Sequence, residues 1–229
     1  MKTSFASLAL VAALSLAGSA QAASIVSPTA TFAPTTDLFN FNGYDGLDVA
    51  AASRVWLDTG TYYVSDATSV LGANEQDLGG NGLWGARFGT TPTGSGNFLS
   101  ATGATLFGFF FAGPQAQIGA YFNLSQPMDG VKGATLTLTA YSAANQVLES
   151  FSYKVDTSWD SYNEGMFLGF SRANADIHSF GVTVTAGQSL VLDDLHLSAA
   201  PVPEPGSLAL LATGIAVIAG VASRRKRQP

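Results

Sequence analysis

Residues 134–141 read Ala-Thr-Leu-Thr-Leu-Thr-Ala-Tyr, and this octapeptide alternates apolar side chains with threonine along most of its length. Successive side chains of a β-strand point to opposite faces, so the alternation predicts a strand with one buried and one wet face. The next segment carries apolar side chains of a single parity, at Val147, Phe151, Tyr153 and Val155. Because Ala-Ala-Asn-Gln at residues 143–146 separates the two segments, we predict a β-hairpin here.

Similar short runs occur on both sides of this hairpin. They cover residues 106–112, 118–124, 166–170, 180–184 and 190–197. Gly113-Pro114 is a turn-forming dipeptide between the first two runs. Short strands at this spacing, with no amphipathic helix or internal repeat among them, predict a single all-β domain built as a jelly-roll-like β-sandwich.

The segment from residue 65 to residue 102 has a different composition. It is rich in Gly, Asn, Ser and Thr, and only residues 83–89 look like a strand. A long irregular segment is either a functional loop system or a covering of the core. We therefore expect few strands between residues 65 and 102.

Composition excludes several classes of function. The chain has 229 residues and no cysteine, which removes disulfides, thiolate metal sites and thiol catalysis. Of its 10 Lys and Arg residues, five lie outside residues 23–200, and of its 16 Asp and Glu residues only Glu204 does, so this segment has a net charge of about −10. Such a surface repels phosphates, and we predict no nucleic-acid partner.

The last 29 residues have three ordered parts. Pro-Val-Pro-Glu-Pro-Gly occupies residues 201–206, an apolar run follows to residue 222, and Arg224, Arg225, Lys226 and Arg227 nearly end the chain. Proline fixes φ and keeps the preceding residue extended, which predicts an exposed spacer. Residues 207–223 have about the minimum length of a membrane-spanning helix, and the basic cluster after them favours a cytoplasmic end. The domain before the helix then lies outside.

This tail resembles the PEP-CTERM sorting signal of exopolysaccharide-producing Gram-negative bacteria. The residues that carry the resemblance are Val202, Pro203, Glu204 and Pro205, followed by the apolar run and the basic end. The resemblance implies recognition by exosortase, a membrane-embedded cysteine transpeptidase that cuts near Pro-Glu-Pro and sends its substrate to the surface or extracellular matrix. The same tail is also labelled an ice-binding protein C-terminal motif, which implies no ice binding. The alternative is an ordinary C-terminal anchor that is never processed.

The N-terminus predicts export as well. Lys2 precedes an apolar stretch from Phe5 to Leu16, and Ala20-Gln21-Ala22 forms a small-residue cleavage site. We expect a signal peptide at residues 1–22 that engages the secretion translocon, an ectodomain at residues 23–200 and a sorting signal at residues 201–229. The protein is then held in the inner membrane with its ectodomain outside, before it reaches the cell surface or the extracellular space. An uncleaved N-terminal anchor is the alternative.

The second half of the ectodomain has a weaker resemblance. Residues 97–198 run from Asn97-Phe98-Leu99-Ser100 through the threonine-rich strand to Leu192-Asp193-Asp194-Leu195. This order is similar to that of β-sandwich ectodomains attached to such tails, and through them to galactose-binding-like jelly rolls and carbohydrate-binding modules. The resemblance implies a fold and contains no residue signature for a ligand.

The last strand raises a question about Asp193. Val191, Asp193, Leu195 and Leu197 share the more apolar parity, so Asp193 is predicted to be buried unless a bulge intervenes. A buried carboxylate needs hydrogen-bond donors or a cation. Backbone N–H groups are one solution, and a structural Ca²⁺ site with Asp45 or Asp48 is the other, although no EF-hand spacing is present. We expect no other cofactor.

The segment from residue 155 to residue 164 contains both acids and aromatic residues. Asp156, Asp160 and Glu164 form either a solvated acidic loop or the paired carboxylates of a glycoside hydrolase. Trp159 and Tyr162, together with Trp84 in the irregular segment, either stack on a sugar or fill space in loops.

Three functions remain open. The first is a non-enzymatic surface protein that has a structural or adhesive role in a polysaccharide matrix or biofilm. The second is a carbohydrate-binding module, and the third is a glycoside hydrolase. Because the ectodomain carries no catalytic signature, we predict that the protein is not an enzyme, with exosortase and extracellular polysaccharide as its partners.

Overall fold

The computed structural model describes residues 23–27, 32, 37–73, 97–101, 106–125, 133–158, 161–162, 165–185 and 189–199. All of them belong to one compact unit, residues 22–202. They form strands and turns, and this part of the chain contains no helix, so none that could cross a membrane. The predicted all-β class is confirmed. The predicted signal peptide and the predicted membrane helix at residues 207–223 lie outside the described residues.

Sixteen strands make up the described part of the chain. In chain order they are β1 (Ala23–Ser27), β2 (Asp37–Phe39), β3 (Leu47–Val49), β4 (Val55–Trp56), β5 (Thr61–Ser65), β6 (Ser69–Ala73), β7 (Phe98–Ala101), β8 (Leu106–Gln115), β9 (Gln117–Ser125), β10 (Ala134–Tyr141), β11 (Val147–Val155), β12 (Thr157–Ser158), β13 (Ser161–Tyr162), β14 (Met166–Ser171), β15 (Ile177–Val184) and β16 (Ser189–Ser198).

These strands form two antiparallel sheets packed as a sandwich. The eight-stranded sheet has the order β1-β14-β9-β16-β7-β6-β3, with β2 also paired to β16. The six-stranded sheet has the order β11-β10-β15-β8-β5-β4. A separate short hairpin consists of β12 and β13. The predicted β-sandwich is therefore confirmed.

The inner faces of the two sheets enclose the main hydrophobic core. On β10, Ala134, Leu136, Leu138 and Ala140 are buried, while the three threonines between them are half-buried on the outer face. The predicted alternation of this strand is confirmed. Each fully buried large apolar side chain contributes about 1.5 to 3 kcal/mol to folding, and with no cysteine in the chain this packing holds the sandwich together.

The predicted hairpin between β10 and β11 forms, with one difference at its tip. A register shift between Ala140 and Tyr141 places Val147 opposite Tyr141. Val147 is therefore on the outer face and 61% exposed, whereas Phe151 and Tyr153 pack against the core. The prediction that Val147 shares the buried parity is wrong, because the bulge inserts one residue that the alternation does not count.

The expectation for residues 65–102 is wrong at both ends of the segment. β6 and β7 pair with each other and lie within the eight-stranded sheet. Their Gly, Ser and Ala residues hide the apolar alternation, although Leu71 and Leu99 are fully buried. Residues 74–96, including the predicted strand at residues 83–89, lie outside the described residues.

Gly113-Pro114 does not form the predicted turn. β8 continues through this dipeptide to Gln115, and the chain then passes from the six-stranded to the eight-stranded sheet at Ala116. The backbone N–H of Ala116 donates to the carbonyl of Ser198 (2.7 Å), which ties this corner to the end of β16. Proline is tolerated in β8 here because the register opposite β15 is irregular at this point.

The outer faces of the two sheets differ. On the eight-stranded sheet, a second cluster of buried side chains is packed by Ile25 and Phe32 from the N-terminal segment. Its members are Ala73, Phe98, Tyr121, Phe167 and Val191. The outer face of the six-stranded sheet carries Trp56, which is 54% exposed. This second face therefore presents aromatic surface to solvent.

Candidate functional site

Five residues form one straight row across the outer face of the six-stranded sheet. Cross-strand register places Trp56 opposite Tyr62, Tyr62 opposite Phe110, Phe110 opposite Ser179, and Ser179 opposite Tyr141. Their chain neighbours Tyr63, Phe109, Phe180 and Ala140 are buried in the core. Because side chains alternate along each strand, all five row residues point outward.

The first three side chains of the row stack on one another. The Tyr62 and Phe110 rings are 4.9 Å apart between centroids and within 9° of parallel, and Trp56 lies 5.0 Å from Tyr62 at a tilt of 59°. The guanidinium of Arg54 lies 4.3 Å from the centroid of Tyr62. Parallel rings this close overlap face to face, so Tyr62 covers one face of Phe110. The other face of Phe110 is turned toward β15.

A groove begins at this free face of Phe110. Ser179 is the small residue of the row, and Gly181 on the same strand pairs directly with Gly108 of β8. The groove has a volume of about 350 Å³. It is lined by Leu106, Gly108, Phe110, Tyr141, Asn145, Ser179, Phe180 and Gly181. None of these residues is charged.

The two glycines let the aromatic side chains lie low against the sheet. A Cβ atom on Gly108 would lie 3.0 Å from Cε2 of Phe110, and one on Gly181 would lie 3.2 Å from Cε2 of Tyr141. A side chain at either position would therefore displace an aromatic ring and fill part of the groove. Glycine inside a strand often marks a close approach of this kind.

Polar groups occur on the floor and the rim of the groove. Ser179 is 6% exposed and lies between the two aromatic walls, and Asn145 at the hairpin tip lies on the rim. Hydroxyl groups also lie along the same face of β10 and β11, where the side-chain oxygens of Thr139 and Ser150 share a hydrogen bond of 3.0 Å. The groove therefore offers ring stacking and neutral hydrogen bonding, and its lining residues supply no group for acid–base catalysis at neutral pH.

A bulge in β16 decides the position of Asp193. Asp193 pairs with Tyr121 and His196 with Gly119, so Asp194 and Leu195 together stand opposite one residue, and Asp194 has a φ of 48°. The main core consequently takes Leu190 and Leu192 before the bulge and Leu195 and Leu197 after it, whereas Val191 packs in the second cluster. The prediction that Val191, Asp193, Leu195 and Leu197 share one face is wrong, because the bulge reverses the parity.

The predicted burial of Asp193 is confirmed, since the residue is only 2% exposed. Its Oδ1 accepts a hydrogen bond from the backbone N–H of Asp194 at 2.7 Å, which agrees with the backbone alternative for this carboxylate. Burial raises the pKa of Asp193 to about 8, and the nearby charge of Asp194 adds to the effect.

The two other residues of the predicted calcium site lie far from Asp193. Asp45 and Asp48 are exposed, and Asp48 is on β3, three strand positions from β16, or about 14 Å. Within the described ranges, no group of three or more His, Asp or Glu residues is arranged to hold a metal ion. The structure thus does not bring Asp193 together with Asp45 or Asp48.

The predicted aromatic and acidic loop lies at the other end of the sandwich from the rim of the groove. Asp156 directly follows β11, whose last residue pairs with Ala134 at the start of β10. Tyr141 is at the opposite end of β10, about 24 Å away. Tyr162 is in β13, within this distant loop, while Trp84, Trp159, Asp160 and Glu164 lie outside the described residues. These residues remain predictions.

Sequence reasoning missed the groove. The residues that form it come from three separate strands and one turn, and none is part of a contiguous motif. Two signals were present: Phe109-Phe110-Phe111 must turn one ring away from the core, and Gly108 and Gly181 interrupt apolar strands. Neither signal says which strands become neighbours.

The fold and the groove together define a β-sandwich that carries an uncharged aromatic groove on one face. Residues 201–227 match the family described as the PEP-CTERM protein-sorting motif. The chain carries this motif, and the resemblance based on Val202, Pro203, Glu204 and Pro205 is confirmed. The motif indicates an exported protein that is anchored in a membrane and then processed by exosortase.

No curated protein matches the chain. One solved structure with a partial likeness is the carbohydrate-binding module TmCBM61 in complex with β-1,4-galactotriose. It is 15% identical, and the match has a TM-score of 0.32 and covers 61% of this chain and 88% of that one. A likeness this weak indicates neither a shared site nor a shared ligand.

Proposed function

We propose that this exported protein is a non-enzymatic surface or matrix component that holds polysaccharide in the groove of its six-stranded sheet. The observation that carries the proposal is that the uncovered face of Phe110 and the side chain of Tyr141 line the same groove, whose floor is uncharged. Sugar rings present flat C–H faces, which stack on aromatic rings, and hydroxyl edges, which take hydrogen bonds. The groove volume of about 350 Å³ is within the range of ligand sites.

The sorting motif supports the same ligand class. The sorting signal that the tail resembles belongs to exopolysaccharide-producing bacteria, so a protein that exosortase releases outside such a cell meets the polysaccharide at its destination. A structural or adhesive role in the matrix requires retention there once the membrane anchor is removed. The groove supplies a means of retention that does not depend on the tail.

Truncation of the groove wall tests the proposal. We expect Tyr141→Ala to weaken the affinity of the full-length protein for the exopolysaccharide of the producing bacterium by about threefold to tenfold, measured by co-sedimentation. This is the effect of losing one aromatic contact, which contributes about 0.5 to 1.5 kcal/mol. Leu47→Ala is the control, because Leu47 is 49% exposed but lies on the eight-stranded sheet. Equal binding by both variants and the wild type would contradict a role for the groove.

The proposal also excludes hydrolysis of the bound glycan. Glycoside hydrolysis requires two carboxyl groups that flank the scissile bond, and the residues that line the groove include none. We expect prolonged incubation of the protein with its polysaccharide to release no new reducing ends. Release that Tyr141→Ala abolishes would show that the groove belongs to an enzyme.

A further inference from the structure

Two polar side chains of the groove are available to a ligand. Ser179 lies on its floor and Asn145 on its rim, and neither side chain has a hydrogen-bonding partner among the described residues. We propose that these two residues select the ligand, which is an uncharged hexose unit of a glycan stacked between Phe110 and Tyr141. The inference rests on the proposed function and adds which sugar chemistry the groove takes.

Ser179 is placed where folding gains nothing from a hydroxyl. It is 6% exposed, and the alternation of β15 turns it outward, between Phe110 on one neighbouring strand and Tyr141 on the other. The hydroxyl oxygen of Ser179 is not fully buried, so the hydroxyl faces the groove, and the folded sandwich should tolerate alanine in its place. A sugar hydroxyl that enters the groove can hydrogen-bond to the serine hydroxyl.

Asn145 occupies a backbone position that favours glycine. Its φ is 58°, and its backbone N–H closes the turn by donating to the carbonyl of Ser142 at 3.0 Å. Glycine adopts this conformation most easily, and asparagine tolerates it while presenting a side-chain amide. That amide both donates and accepts, which suits two adjacent hydroxyls of a sugar. The neighbouring Gln146 is different, because its amide donates to the carbonyl of Ala144.

The charges around the groove indicate that the sugar is neutral. None of the eight lining residues is charged, and the ectodomain as a whole has a net charge of about −10. An acidic sugar would be repelled by this field and would find no cation on the groove floor. Arg54 lies against Tyr62, on the far side of the Tyr62 and Phe110 stack from Ser179.

Three conservative variants of the full-length protein test the inference. The probes are neutral gluco-, galacto- and manno-oligosaccharides, with polygalacturonate as the acidic comparison. We expect Ser179→Ala and Asn145→Gly each to lower the affinity for the preferred oligosaccharide by about threefold to tenfold and to reduce the discrimination between epimers. Neither variant should lower Tm, because each suits the backbone at least as well as the native residue. Gln146→Ala is the matched control and should change neither affinity nor selectivity.

The possible results separate this inference from the proposed function. If Tyr141→Ala weakens binding but Ser179→Ala and Asn145→Gly do not, the selection role is wrong and the binding function stands. Tight, salt-sensitive binding of polygalacturonate would also overturn the inference alone. A wild-type protein that ignores both its host polysaccharide and the oligosaccharides, or a dimer that Tyr141→Ala dissociates, would overturn both.

Discussion

At the scale of single residues, Asp193 combines burial with a high proton affinity. The folded protein keeps the proton on this carboxyl group up to a pKa of about 8, whereas the unfolded chain loses it near the ordinary value of 3.8. Between these two values the folded state binds more protons than the unfolded state. The free energy of unfolding therefore decreases as pH rises through this window and levels off above it.

Asp193→Asn should remove much of this dependence. The amide oxygen of Asn still accepts from the N–H of Asp194, and it carries no charge at any pH. We expect the Tm of the wild type to fall between pH 5 and pH 9. The Tm of the variant should fall less, so that the variant is the more stable protein at pH 9. Burial also raises the pKa of Asp194 and of Glu149, so a smaller slope should remain.

Thermal unfolding followed by circular dichroism at pH 5, 7 and 9 measures this effect. Asp48→Asn is the control, since Asp48 is exposed on β3 and its replacement should leave the slope unchanged. A variant at position 193 that is destabilised equally at every pH would show that the contacts of the side chain, and not its charge, determine its effect on stability.

At the scale of elements, β11 is the outermost strand of the six-stranded sheet and carries an inward-facing acid. Glu149 is opposite Ala140, a core residue of β10, and its Oε2 lies 3.6 Å from Nη1 of Arg172. Arg172 is itself held by Asp176, through contacts of 2.6 Å and 2.9 Å. Inward-pointing charges on edge strands discourage pairing with another chain.

Glu149→Leu tests this protective role. Oε2 of Glu149 is buried and lacks a hydrogen-bonding partner within the described residues, so leucine should leave the free energy of unfolding unchanged or raise it. The same change should promote association through β11, visible as concentration-dependent oligomers in light scattering. Glu149→Gln keeps a polar group at the edge and should associate no more than the wild type. A leucine variant that is stable and does not associate would argue that Glu149 has no protective role.

At the scale of the whole molecule, the first and last strands of the sandwich begin and end at the same end of the eight-stranded sheet. Ala23, Ser171, Gln117 and Ser198 are successive register partners across four strands. The first residue of β1 and the last of β16 are therefore about 14 Å apart. Because β1 begins directly after residue 22, cleavage at the predicted Ala20-Gln21-Ala22 site would leave every strand intact.

The sorting motif and the sandwich should accordingly be separable by mutation. Replacing Pro203, Glu204 and Pro205 by alanine should block exosortase processing and retain the protein in the membrane fraction with an uncut tail. Binding of polysaccharide by the retained protein should be unchanged, since the motif lies beyond β16, the last of the described strands. Fractionation and intact-mass measurement, with an exosortase deletion as the matched control, check this. Normal release of the alanine variant would mean that another signal sorts the protein.

Features that depend on neighbours along the chain could be predicted from the residues alone. Alternation over residues 134–141 predicted a strand, the segment after it a hairpin, and three contiguous parts at residues 201–227 a sorting signal that the family comparison confirms. The same reasoning failed at Val147 and in β16, where one extra residue in a bulge reverses the parity. Strict alternation along a strand cannot reveal an inserted residue of this kind.

The location of the groove depends on how the strands are arranged in space. Trp56, Tyr62, Phe110, Tyr141 and Ser179 span more than a hundred residues of chain, and strand order and register bring them into one row. Asn145 and Ser179 are unremarkable in the sequence, and their meaning comes from the aromatic walls beside them. The physical reason is that a strand's own residues set which of its side chains share a face, whereas the packing of the whole core sets which strands are neighbours.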